Sequence, residues 1–113
     1  MRYLLLVCGD DDAYQAMLAD EEFLPTCHRW SAEMEERGIL IGGGGLQPPD
    51  DATTLRVRDG QVLLTDGPFA ETKEIIAGFS LIECADLDEA LEVTARHPVA
   101  RYGTIEIRPF LPT

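Results

Sequence analysis

The segment Arg2–Cys8, RYLLLVC, is apolar at both odd and even positions. Side chains alternate across a strand with a period of two, so Tyr3, Leu5 and Val7 share one face and Leu4, Leu6 and Cys8 the other. Such a strand needs cover on both faces and belongs in the middle of a sheet. What the rest of the chain supplies as cover therefore constrains the fold.

Phe23, Cys27, Trp30 and Met34 recur at spacings of four, three and four, which predicts a helix over Asp20–Arg37 with one apolar face. Asp20 is placed to cap it, Gly38 to stop it, and Pro25 to sit in or bend its first turn. A shorter helix is expected over Ala13–Leu18. Ile39–Leu46 reads as a strand ending in glycines. In TTLRVRDGQVLLT, Thr54–Thr65, Asp59-Gly60 is a two-residue hairpin turn. Its register pairs Leu55 with Leu64, Val57 with Val62 and Arg58 with Gln61, so apolar residues meet across the hairpin. Ile75–Cys84 is a further strand. Asp86 and Glu89 form a capping box for a second helix, with Leu87, Ala90, Leu91 and Thr94 as its inward stripe and Pro98 as its end. Gly103–Pro109 closes the chain as a strand.

The order β-α-β, hairpin, β-α-β over 113 residues is one domain, residues 1–113. It predicts an α+β, ferredoxin-like βαββαβ protomer with an inserted β-hairpin. Two helices roof one sheet face only, so the other apolar face is expected to meet a second copy in a two-fold homodimer.

Composition narrows the partners. Twenty-one Asp and Glu against nine Lys and Arg leave a net charge of −12, unsuited to phosphate backbones or anionic membranes. The apolar N-terminal run is too short for a transmembrane helix and lacks a signal-peptide cleavage pattern, so a cytoplasmic location is expected. Cys8, Cys27 and Cys84 are scattered, with no C-x-x-C pair, and read as reduced thiols.

LIGGGGLQPP, the RVRDG hairpin, TDGPFAETKE, DLDEALE and ARYGTIEIRPF, spread over almost the whole chain, resemble the DGPF branch of the YCII-related proteins. The resemblance implies a ferredoxin-like protomer and a dimeric α+β barrel. It also implies a role with small aromatic or chlorinated compounds, handled in some relatives by a His–Asp pair. That pair comprises a helix-one His, near Cys27 or His28 here, and an Asp before the proline that matches Pro98. This chain has His97 at the second position, so the dyad is not intact. The branch's association with extracytoplasmic-function sigma factors implies, as the alternative, a non-catalytic regulatory or interaction module.

TDGPFAETKE, Thr65–Glu74, concentrates a turn, a proline, an aromatic and several charges between two apolar runs. It reads as a pocket-lining loop on a rigid scaffold, or as a crossover whose Asp66 caps its own amides. On the first reading Asp66 and His28 are the proton-transfer candidates, in cofactor-free lyase- or isomerase-like chemistry. Arg58, Pro68, Phe69, Glu71, Lys73 and Tyr102 are the ligand-binding candidates. His28 lacks a second ligand at metal spacing, so no metal is expected and haem ligation is the weaker reading. GGGG, Gly42–Gly45, precedes no helix and lacks a Lys-Ser/Thr ending. It reads as a strand-end bulge or close backbone approach, not a phosphate loop.

Overall fold

The computed structural model describes residues 1–70 and 74–112. Nine elements follow in order: β1 (Arg2–Gly9), α1 (Asp11–Ala19), α2 (Phe23–Glu36), β2 (Leu40–Gly45), β3 (Thr53–Arg58), β4 (Gln61–Asp66), β5 (Ile75–Glu83), α3 (Leu87–Ala95) and β6 (Thr104–Pro109). Short 3-10 turns cover Pro49–Asp51 and Pro98–Arg101. Four strands make an antiparallel sheet in the order β2-β5-β1-β6, and β3-β4 form a separate two-stranded sheet. This is the ferredoxin-like arrangement with an inserted hairpin, and β1 is central as its two-sided apolar pattern requires.

The helices cover one face. Tyr3, Leu5 and Val7 of β1 and Ile82 of β5 are buried beneath Trp30 and Met34 of α2, Ala90 and Val93 of α3, and Met17 of α1. On the opposite face Leu4 pairs laterally with Leu81 and Leu6 with Phe79, and no helix among the described residues covers them.

The two expected helices form, with shifted ends: the shorter one begins at Asp11, and the longer one at Phe23 instead of Asp20. Asp10 caps α1 by accepting from Ala13 N–H at 2.9 Å. Asp20 ends α1, and its carboxylate accepts from Glu22 N–H at 3.0 Å across the turn. Pro25 then falls in the first turn of α2, where its missing N–H costs no intrahelical bond. α3 is turned relative to the expected stripe: Ala90, Val93 and Thr94 are buried, while Leu87 and Leu91 stay half exposed. The Asp86 half of its capping box forms, with Asp86 accepting from Glu89 N–H at 2.9 Å, while Glu89 reaches one residue past the cap and accepts from Ala85 N–H at 3.0 Å.

The hairpin has the expected register, with Asp59 at φ 51° and Gly60 at φ 77° in its turn. Gly38, at φ 71°, follows α2 as a left-handed stop. The glycine run combines both expected features. A bulge interrupts β2 between Leu40 and Gly42, and Gly43 adopts φ 145° against the Phe79 carbonyl. A Cβ on Gly43 would lie 2.3 Å from that oxygen. Gly43→Ala should therefore cost about 3 kcal/mol through combined strain and backbone clash, read from urea unfolding.

Among the described residues, no helix is long and apolar enough to cross a membrane.

Candidate functional site

A shallow, open groove of about 370 Å³ runs between α3 and β6, lined mainly by Leu91, Thr94, Ala100, Thr104, Ile105 and Ile107. The size is that of a small-ligand site. Its walls follow from the rotation of α3: with Val93 turned into the core, Leu91 and Thr94 flank the gap toward β6. Thr94 is buried, and its Oγ1 has no hydrogen-bond partner among the described residues. A buried unpaired hydroxyl costs about 1–3 kcal/mol, which makes this atom the polar anomaly of an apolar site.

Next to this region His97 is buried, at the position where the resemblance expects Asp. Burial lowers its pKa from 6.5 to about 4, so the imidazole is neutral near pH 7. Its Nδ1 accepts from Val99 N–H at 3.1 Å, capping the Pro98–Arg101 turn. Its ring lies 4.6 Å from that of Trp30, edge to face. Trp30 Nε1 in turn donates to the Val93 carbonyl at 3.0 Å. Sequence alone marks His97 as a helix end before a proline; only the packing of α2 against α3 buries it.

Tyr102 is held within its own protomer. Its hydroxyl donates to Asp20 across 82 residues of sequence, and Phe23 meets its ring edge-on at 5.8 Å. The Tyr102 hydroxyl, and then the Glu22 amide, hold the Asp20 carboxyl below its ordinary range. The pair ties the α1–α2 turn to the start of β6.

The other candidates lie apart. His28 is on the exposed side of α2. Asp66 ends β4, exposed, and Arg58 ends β3, exposed, with a bond only to the Val57 carbonyl at 2.9 Å. Pro68 is exposed and Phe69 is 80% exposed. None of these lines the cavity, and no hydrogen bond or ion pair among the described residues joins His28 to Asp66. Glu71 and Lys73 lie outside the described residues. Glu74 approaches Cys8, whose thiol is pushed up first by burial, then by the charges of Glu106 and Glu74. Cys27 and Cys84 are likewise raised by burial, so none of the three thiols is activated. No cluster of metal-ligating side chains occurs among the described residues.

Fold and cavity together define a class: a small ferredoxin-like α+β protomer with one bare sheet face and an apolar recess at its edge strand. The chain belongs to the YCII-related family, whose domain model matches residues 1–113. It is 37% identical to an uncharacterised protein of Rhizobium meliloti (strain 1021), over 96% of this chain and 91% of that one. In three dimensions it is similar to 5-chloro-2-hydroxyhydroquinone dehydrochlorinase of Burkholderia phenoliruptrix AC1100, solved in complex with 2,5-dihydroxybenzoquinone. The TM-score is 0.58 at 12% identity, over 98% of this chain and 94% of that one.

Proposed function

We propose that the protein is a homodimer, joined through the open sheet face, that binds a small and largely apolar organic molecule bearing a hydrogen-bonding oxygen. The observation that carries the binding site is the apolar recess of small-ligand volume between α3 and β6, with Thr94 in its wall. An apolar recess with Thr94 and Thr104 in its wall suits a hydroxylated aromatic or a quinone: the ring covers the apolar lining, and rotation of the Thr94 hydroxyl out of its buried position would let a ligand oxygen pair with it. The quinone-bound structural neighbour supports the same ligand class. The lining contains no titratable side chain, so turnover would draw its acid and base from elsewhere. Asp66 and His28 are the candidates, and they meet only if a second copy brings one to the other.

The test is a calorimetric titration with hydroxylated aromatics and quinones, on wild type and Thr94→Val. Valine keeps the shape and removes the hydroxyl. It should raise the stability of the unliganded protein by about 1 kcal/mol and weaken ligand binding roughly tenfold. An absence of binding across the panel, or identical affinity in the variant, would refute the assignment of this cavity.

A further inference from the structure

The β3–β4 hairpin has no core of its own. Leu55, Val57, Val62 and Leu64 share one face by register, and all are more than half exposed. Its strands pack on each other, with only marginal contact to other elements among the described residues, and hydrogen bonds at its base anchor it: Thr54 to the Gly67 carbonyl and Gly67 N–H to the Ala52 carbonyl. The Cα radius of gyration, 15.9 Å, exceeds the about 13 Å expected for a compact domain of this length. A two-stranded hairpin alone is marginal in water, so this one needs cover from outside the protomer.

The same chain offers a matching surface. On the open sheet face, Gly42 pairs laterally with Leu81 and Gly44 with Phe79. These glycines therefore form a strip without side chains beside an apolar ridge. A Cβ at either would meet nothing within 4 Å, so no packing within the protomer demands glycine there. Glycine weakens a strand, and its presence marks the close approach of another backbone or a ligand. The apolar part of the sheet face is narrow. β6 contributes Thr104, Glu106 and Arg108 to it, and β2 the glycines, which leaves chiefly Leu4, Leu6, Ile76, Phe79 and Leu81. Four further apolar side chains from the hairpin nearly double what each copy contributes.

Charge agrees. Thr53–Asp66 carries Arg56, Arg58, Asp59 and Asp66, a net charge of zero in a chain of net −12. Of the surface arginines, Arg2, Arg37, Arg96 and Arg108 pair with carboxylates of the same chain, whereas among the described residues Arg29, Arg56, Arg58 and Arg101 form no ion pair, and two of these four lie on the arm. Two such acidic copies repel least along these neutral surfaces, and the arm's guanidiniums are free to meet the partner's carboxylates.

We propose that the β3–β4 hairpin is an intermolecular arm that lies on the Gly42–Gly44 strip of a second copy. This rests on the sheet-to-sheet dimer proposed above. The experiment is sedimentation equilibrium over a broad concentration range on four proteins: wild type, Leu6→Asp on the sheet face, Leu55→Asp/Leu64→Asp on the arm, and Gly44→Leu on the strip. Circular dichroism serves as the check on the protomer fold. Wild type should be a dimer, and Leu6→Asp should abolish it. The arm and strip variants should each raise the dimer Kd at least thirtyfold while the protomer spectrum is retained. Dimerisation lost in Leu6→Asp but unchanged in both the arm and strip variants would overturn the arm and leave the sheet dimer standing. A monomeric wild type would overturn both.

Discussion

Trp30→Ala should destabilise the protein by about 4 kcal/mol, lowering the urea midpoint by about 2 to 3 M, with far-UV circular dichroism as the readout. Trp30 is 5% exposed in the cluster that includes Leu5, Met34, Ile82 and Val93. Truncation removes the largest apolar side chain of that cluster and leaves a cavity that the surrounding sheet and helices cannot collapse to fill. It also removes the indole bond to the Val93 carbonyl and the edge contact to His97, and so loosens the junction of α2 with α3. For a domain of this size the loss is a large share of a total stability of about 6–17 kcal/mol. A loss below about 1 kcal/mol would mean that the helices do not pack as described.

His97 should make the protein acid-sensitive above the usual carboxylate range. Its folded pKa of about 4 lies below the ordinary 6.5, so the unfolded chain binds the proton more readily. The stabilisation is complete above pH 6.5 and falls as pH drops toward 4, by up to about 3 kcal/mol, since a tenfold change in proton affinity is worth about 1.4 kcal/mol. Protonation at Nδ1 would also remove the acceptor for Val99 N–H. His97→Asn keeps a capping oxygen and removes the titration. The wild type should lose roughly 2–3 kcal/mol more than the variant between pH 7 and pH 4.5, with Trp30, the chain's single tryptophan, as the fluorescent reporter. The comparison isolates His97 because the relief of acidic self-repulsion on protonation is common to both proteins. Parallel pH profiles would show that the imidazole is not buried. The Asp20 carboxyl, held low by Tyr102, adds acid sensitivity only below the ordinary carboxylate range.

The elements legible in the sequence are those set by neighbours in the chain. The hairpin turn follows from Asp59-Gly60, its register from the alternation on either side, and the α3 cap from Asp86 and Glu89. The elements that depart from expectation depend on partners far away. Asp20 has the composition of a helix cap, but it works as a turn residue tied to Tyr102. Of the expected stripe Ala90 and Thr94 are buried, but Val93 joins them on the inner face in place of Leu87 and Leu91. A helix lying this close to a sheet and to Trp30 favours small and β-branched residues at the contact. The candidate site divides the same way. Tyr102 is recognisable as a hydrogen-bond donor, but no local pattern names its acceptor. Thr94 falls on the inward stripe, but nothing nearby in the chain reveals that its hydroxyl has no partner.

Local pattern alone thus settled the order of strands and helices, the hairpin, and the surplus of apolar sheet surface over available helix. These depend on alternation, capping and turn chemistry within a few residues. Which face of α3 turns inward, the burial of His97 against Trp30, and the recess beside Thr94 were decided only in the folded chain. The indole of Trp30 meets Val93 across 63 residues, and Tyr102 meets Asp20 across 82. Contacts at that range are chosen by how volumes fit when layers close, and a linear pattern carries no record of that fit.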